Sequence, residues 1–156
     1  MHIEIWTIGK ANEPHIEAGM ALYFQKIKPY NTISLEIIPP LKKTPTSIDT
    51  IKKEEEALLL KKLKPHHHLI LLDETGKLLT SPQWAEQFQQ QMNHSVKTLV
   101  LLIGGAYGVT DAIKMQAKQT WSLSKLVFPH QLVRLIVAEQ VYRAFSILNN
   151  TPYHHS

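Results

Sequence analysis

VKTLVLLIGGAYG, residues 96–108, is the stretch that decides the fold class. Val96 to Ile103 is almost unbroken in apolar side chains, so a strand here is covered on both faces, as in a parallel sheet. Gly104 and Gly105 then interrupt it, and Thr110-Asp111 opens a short helix. A buried strand passing through a glycine turn into a helix is the repeating unit of an α/β domain.

The same alternation extends in both directions. Upstream, residues 66–73 (HHHLILLD) form another nearly continuous strand, and Ser81-Pro82 starts the helix that links it to residue 96. Residues 2–9 (HIEIWTIG) read as the first strand. A helix follows from about Asn12, taken as its N-cap, with the stripe Ile16, Met20, Phe24 and Ile27. Residues 32–39 form a second strand, stopped by Pro39-Pro40. A polar loop with Lys42, Lys43 and Pro45 leads to Ser47, the expected cap of a helix running to about Leu63. On that helix Lys52-Lys53 precede Glu54 to Glu56, which places opposite charges one turn apart.

Downstream, Trp121–Phe128 reads as a fifth extended segment and Gln131–Leu148 as the last helix. Val133, Val137, Ala138, Val141, Ala144, Phe145 and Leu148 share one side of that helix, yet Leu132, Leu135, Ile136 and Ile147 lie opposite. A helix apolar nearly all round must be covered on most sides, which in so short a chain points to a subunit interface. Arg134 falls inside the apolar stripe and needs a partner; a buried ion pair with Glu139 or with a carboxylate of a partner chain is expected. Five strands alternating with five helices predict one α/β domain with a parallel sheet, residues 1–156, without internal repeats or linkers.

Composition bounds the chemistry. Without cysteine, disulfides and thiolate catalysis are excluded, and a reducing cytoplasm suits the chain. No run approaches the roughly 18 apolar residues of a membrane helix, and Glu4 disrupts any export signal. The net charge of +4 draws the chain toward polyanions, with nine histidines adding to it on acidification. His66-His67-His68 is not expected to hold a metal, because adjacent strand residues point to opposite faces.

Ligands of open α/β sheets gather at the carboxyl ends of the strands. Gly104 to Gly108 occupies such a place, but it lacks the lysine of a P-loop and the spacing of a dinucleotide fingerprint. It fits a ligand-lining loop and a tight turn equally. Residues 121–130 (WSLSKLVFPH) offer backbone groups to a ligand or serve as an ordinary strand-to-helix connection. The tail, NNTPYHHS at 149–156, is either frayed surface or a segment that folds Tyr153 and His154 over a site. Arg143 can pair with Glu139 one helical turn away.

LLIGGAYG at 101–108, WSLSKLVFPHQLVR at 121–134, AEQVYRAFSI at 138–147 and PYHH at 152–155 together resemble the RlmH family, the ribosomal large-subunit pseudouridine-N3 methyltransferases of the SPOUT class. The resemblance covers the full length, including HIEIWTIGK and the strand ending LLDETGK. It implies a C-terminal trefoil knot, a homodimer with active sites between subunits, and S-adenosyl-L-methionine as methyl donor. The positions matching the family's donor loops are Leu72, Gly104 and Gly105, and Leu123, Ser124, Lys125, Leu126, Val127 and Phe128. The implied reaction is methylation of N3 of a pseudouridine in 23S rRNA on the assembled ribosome. His154 and Tyr153 are expected to meet the base, Arg143 to stabilise an anion or phosphate, and the tail to serve the partner's donor site. Two departures stand out: the loop tip is Ala106-Tyr107, and His155 stands where relatives often carry a fixed positive charge. A ribosome-binding protein without catalysis, or an enzyme acting on a small nucleotide, are the alternatives. The first predicts no donor binding and the second predicts turnover without ribosomes.

Overall fold

A computed structural model describes residues 1–40 and 47–155, so the expected loop with Lys42, Lys43 and Pro45 lies outside the described residues. The elements are β1 (His2–Ile8), α1 (Pro14–Ile27), β2 (Thr32–Ile38), α2 (Ile48–Lys62), β3 (His67–Leu78), α3 (Ser81–Asn93), β4 (Thr98–Ile103), α4 (Asp111–Gln116), β5 (Gln119–Ser122) and α5 (His130–Leu148). All strand pairs are parallel, in the order β2-β1-β4-β3-β5. The central strand β4 is buried along its whole length, as its composition predicts, with Leu101 paired between Ile5 and Ile70.

Strand alternation sends side chains to two cores. On one face Ile3, Ile5, Leu99, Leu101 and Ile103 pack against α1, α3 and α5 through Met20, Phe88, Val141 and Phe145. On the other, Trp6, Ile8, Val100 and Leu102 pack with Leu59 of α2 and Ile113 of α4. The stripe expected on α5 is the buried one, although Val133 and Leu148 are only half-buried. α3 starts on a capping box in which Thr80 Oγ accepts from the Gln83 amide and Gln83 accepts from the Thr80 amide. Thr80→Ala is expected to remove about 1 kcal/mol of stability, read as a lowered urea midpoint at unchanged slope.

Four expectations need correction. The fifth strand is Gln119–Ser122 and not 121–128: beyond Ser122 the chain turns, because Ser124 Oγ accepts from the Leu126 amide 2.9 Å away. β3 continues past Asp73 to Leu78, with a shift of register against β5 between Leu72 and Lys77. Asn12 does not cap α1; Glu13 holds that place with no side-chain cap, and its amide donates to Gln131 of α5. Arg134 is buried as expected, yet among the described residues it pairs with no carboxylate. It donates to the Lys10 carbonyl (2.8 Å) and to Asn12 Oδ1 (2.9 Å), while Glu139 is bound to Arg143. Arg134 therefore ties α5 to the β1–α1 loop.

Candidate active site

The middle of β3, where its register against β5 shifts, and the carboxyl ends of β4 and β5 open into a cavity of about 690 Å³. Its place follows from the topology, since the loops leaving neighbouring parallel strands diverge there. The loop after β4 forms a tight turn in which the Gly108 amide donates to the Gly105 carbonyl at 3.0 Å. Gly108 sits at φ +79°, a conformation that favours glycine. The turn presents Tyr107 half-exposed at the cavity's edge. His130, in the first turn of α5, donates from Nε2 to the Gly104 carbonyl at 3.0 Å and so anchors this loop to the last helix.

The loop after β5 supplies the facing wall. Leu123, Ser124, Leu126, Val127 and Phe128 line the cavity with Leu72, Gly104 and Gly105; of the positions matched to the donor loops, Lys125 alone is not among the lining residues. Leu126 and Val127 are 72% and 89% exposed, an unusual burden for apolar side chains.

Sequence reading did not single out Asp73, which also lines the cavity beside Glu74, Thr75, Lys52 and Lys114. Asp73 Oδ1 accepts from the Thr75 amide (2.9 Å) and hydroxyl (2.6 Å). Burial alone raises its pKa, but the two Thr75 bonds and the nearby Lys114 and Lys52 outweigh that and hold the carboxyl below its ordinary range. Its signal in the sequence was only an acid at the end of a buried strand.

A second cluster forms where the tail folds back on α5. The Thr151 amide donates to the Ser146 carbonyl, so the tail is not frayed surface. Arg143 donates to Glu139 Oε1 through both Nε (2.9 Å) and Nη2, and Tyr153 donates to the same oxygen at 3.0 Å. The guanidinium lies over the Tyr153 ring, 4.7 Å from its centroid, and faces His154 Nδ1 at 3.3 Å. Burial, then bonds with Tyr23 and Glu139, push the Tyr153 phenol well above its ordinary pKa. The bond to Glu139 raises Arg143 likewise. Glu139 is thus the hub of the cluster, which sequence reading saw only as a partner for arginine.

The three residues expected to be catalytic therefore stand together, but apart from the cavity. Val133 lines the cavity, and Arg143 lies ten residues along the same helix, a rise of about 15 Å. His155 is exposed. Among the described residues no group of histidine and acidic side chains is arranged to hold a metal, and no helix is long and apolar enough to cross a membrane.

Residues 1–154 match the family described as predicted SPOUT methyltransferase. A protein of Cytophaga hutchinsonii named ribosomal RNA large subunit methyltransferase H is 41% identical, covering 99% of this chain and 100% of its own length. Proteins of that name from Flavobacterium johnsoniae and Geobacter sp. are 42% and 36% identical, each over 99% of both chains. Among solved structures, a probable methylase family protein from Haemophilus influenzae superposes with a TM-score of 0.50 at 15% identity. The superposition covers 95% of this chain and 66% of that one, and shows a shared fold.

Proposed function

This chain belongs to the SPOUT methyltransferase family, and from that premise we propose that it methylates N3 of a pseudouridine in 23S rRNA, using S-adenosyl-L-methionine. The observation that carries the reading is the cavity at the sheet's carboxyl edge, whose walls coincide with the positions matching the family's donor loops. Its residues fit such a donor. Leu72, Leu123 and Phe128 offer apolar surface to a flat adenine, the irregular backbone of 123–128 offers amides and carbonyls, and two glycines leave the loop after β4 without side chains. When bound, the donor supplies an electrophilic methyl group on a sulfonium.

The tail cluster acts on the acceptor ring. Arginine has no acceptor atom, so the contact between Arg143 and His154 Nδ1 requires that a neutral His154 carry its proton on Nε2. His154 then offers an N–H to the base. Tyr153, with its pKa raised, remains a phenol at neutral pH, its one O–H given to Glu139 until the anionic ring competes for it. Arg143, Tyr153 and His154 together stabilise the anionic ring from which N3 attacks, and removal of the N3 proton to solvent is helped by that field. This reading assigns the three residues to anion stabilisation, with Glu139 positioning them.

Because cavity and cluster lie about 15 Å apart along α5, one chain does not bring them to a single substrate atom. A homodimer solves this when each tail reaches the partner's cavity, and the exposed Leu126, Val127 and Leu132 are suited to the interface. The protein acts in the cytoplasm on the large ribosomal subunit, reading shape with modest base contacts. The test is incubation with methyl-labelled donor and either assembled ribosomes or free 23S rRNA, followed by mass-spectrometric mapping. Label on N3 of one pseudouridine in the ribosome arm is expected; no label in either arm would refute the assignment.

A further inference from the structure

The cavity has two chemically different sides. Leu72, Leu123, Leu126, Val127 and Phe128 make one of them apolar. Lys52 of α2, Asp73 of β3 and Lys114 of α4 converge on the other from three separate elements, with Glu74 at the same mouth. Thr75 fixes the orientation of Asp73 by holding Oδ1 with both amide and hydroxyl. That leaves Oδ2 on the side of the glycine turn, 3.9 Å from where a Cβ on Gly108 would stand. Both lysines are close enough to Asp73 to act on its ionisation.

Apolar stacking accounts for the adenosine part of a sulfonium donor and leaves the charged side unused. The rest of such a donor is an α-amino-acid tail carrying an ammonium and a carboxylate. A wall that carries a carboxylate and two ammonium groups offers a charge opposite to each member of that pair. We propose that Asp73 receives the α-ammonium of the donor's amino-acid tail and that Lys52 and Lys114 receive its carboxylate, forming a tail subsite distinct from the adenine wall. The proposal rests on the reading of the cavity as the donor site.

Two probes separate this subsite from the rest of the cavity. S-adenosylhomocysteine carries the tail, and 5′-methylthioadenosine has the same nucleoside and thioether without it. Calorimetric titration of the full chain is expected to show tighter binding of the tailed ligand. Asp73→Asn, which retains an oxygen for Thr75, and the double change Lys52→Ala with Lys114→Ala are each expected to reduce the ratio of the two affinities by about three- to tenfold. The affinity for methylthioadenosine should stay near the wild-type value. An unchanged ratio in both variants overturns the proposal, and so does an equal loss for both ligands, which marks a structural role. If the wild-type protein binds neither probe, the donor reading itself fails and the subsite falls with it. If it binds methylthioadenosine as tightly as the tailed ligand, only the subsite falls.

Discussion

Arg143→Ala is expected to lower the rate of methyl transfer by about a hundred- to a thousandfold while leaving donor affinity unchanged. The guanidinium is held by two bonds to Glu139 and stacked over Tyr153, so it is preorganised before substrate arrives. Removing it takes a fixed cation from the place where ring charge develops, and frees Glu139 to repel that charge. Arg143→Lys should recover only part of the loss, because a single ammonium does not reproduce the fork that reaches Glu139 and His154 together. A mixing experiment makes the point sharper. When Arg143→Ala subunits are combined with subunits whose cavity is blocked by Gly104→Val, each homodimer is inactive. If the tail serves the partner's cavity, a mixed dimer has one site with neither lesion, and an equal mixture recovers about a quarter of wild-type activity. Recovery near zero would show that cavity and tail of one chain work together, against the composite site proposed above.

Gly76→Ala is expected to destabilise the protein by about 3 kcal/mol, a large part of the roughly 5–15 kcal/mol that holds a domain folded. A Cβ at this position would stand 2.6 Å from the carbonyl carbons of Thr120 and Trp121 and 2.7 Å from the Thr120 oxygen, all backbone atoms of β5. Overpacking against side chains is relieved by rotamer changes; here a strand must move. It has nowhere to go, since Trp121 is buried with its ring 5.1 Å from Trp84 and 6.3 Å from Phe88. Gly76 also joins the two halves of the cavity, because Asp73 and Thr75 precede it while the loop 123–128 leaves the strand it touches. Urea unfolding reads the effect as a fall in midpoint. A loss below about 1 kcal/mol would mean that β5 shifts freely and that this contact does not shape the site.

Much of this architecture was present in local patterns. The apolar run 99–103 could only be a strand buried on both faces, and it became the centre of the sheet. The glycine break after it, the helix starts at Ser81 and Asp111, and the buried side of α5 followed from period and capping chemistry, which act between near neighbours. The likeness to methyltransferases lay in motifs that retain their order along the chain. Where reading failed, the apolar content was misleading. Val127 and Phe128 continue the pattern of β5 but serve the cavity and its rim, and the polar residues 74–77 extend β3 despite lacking a strand's alternation.

Periodicity tells a residue which way it faces, because burial repeats every two or 3.6 positions. It carries no information on which distant segment it will meet. Arg134 had to be buried on that logic, yet its partner is a carbonyl 124 residues away, brought near only when α5 packs across α1. Likewise Lys52, Asp73 and Lys114 belong to α2, β3 and α4, which meet because β3 and β4 are neighbours and the helix entering β3 packs on the same sheet face as the helix leaving β4. Parallel pairing joins residues far apart in the chain, and that long-range geometry decided where the charges of this site stand.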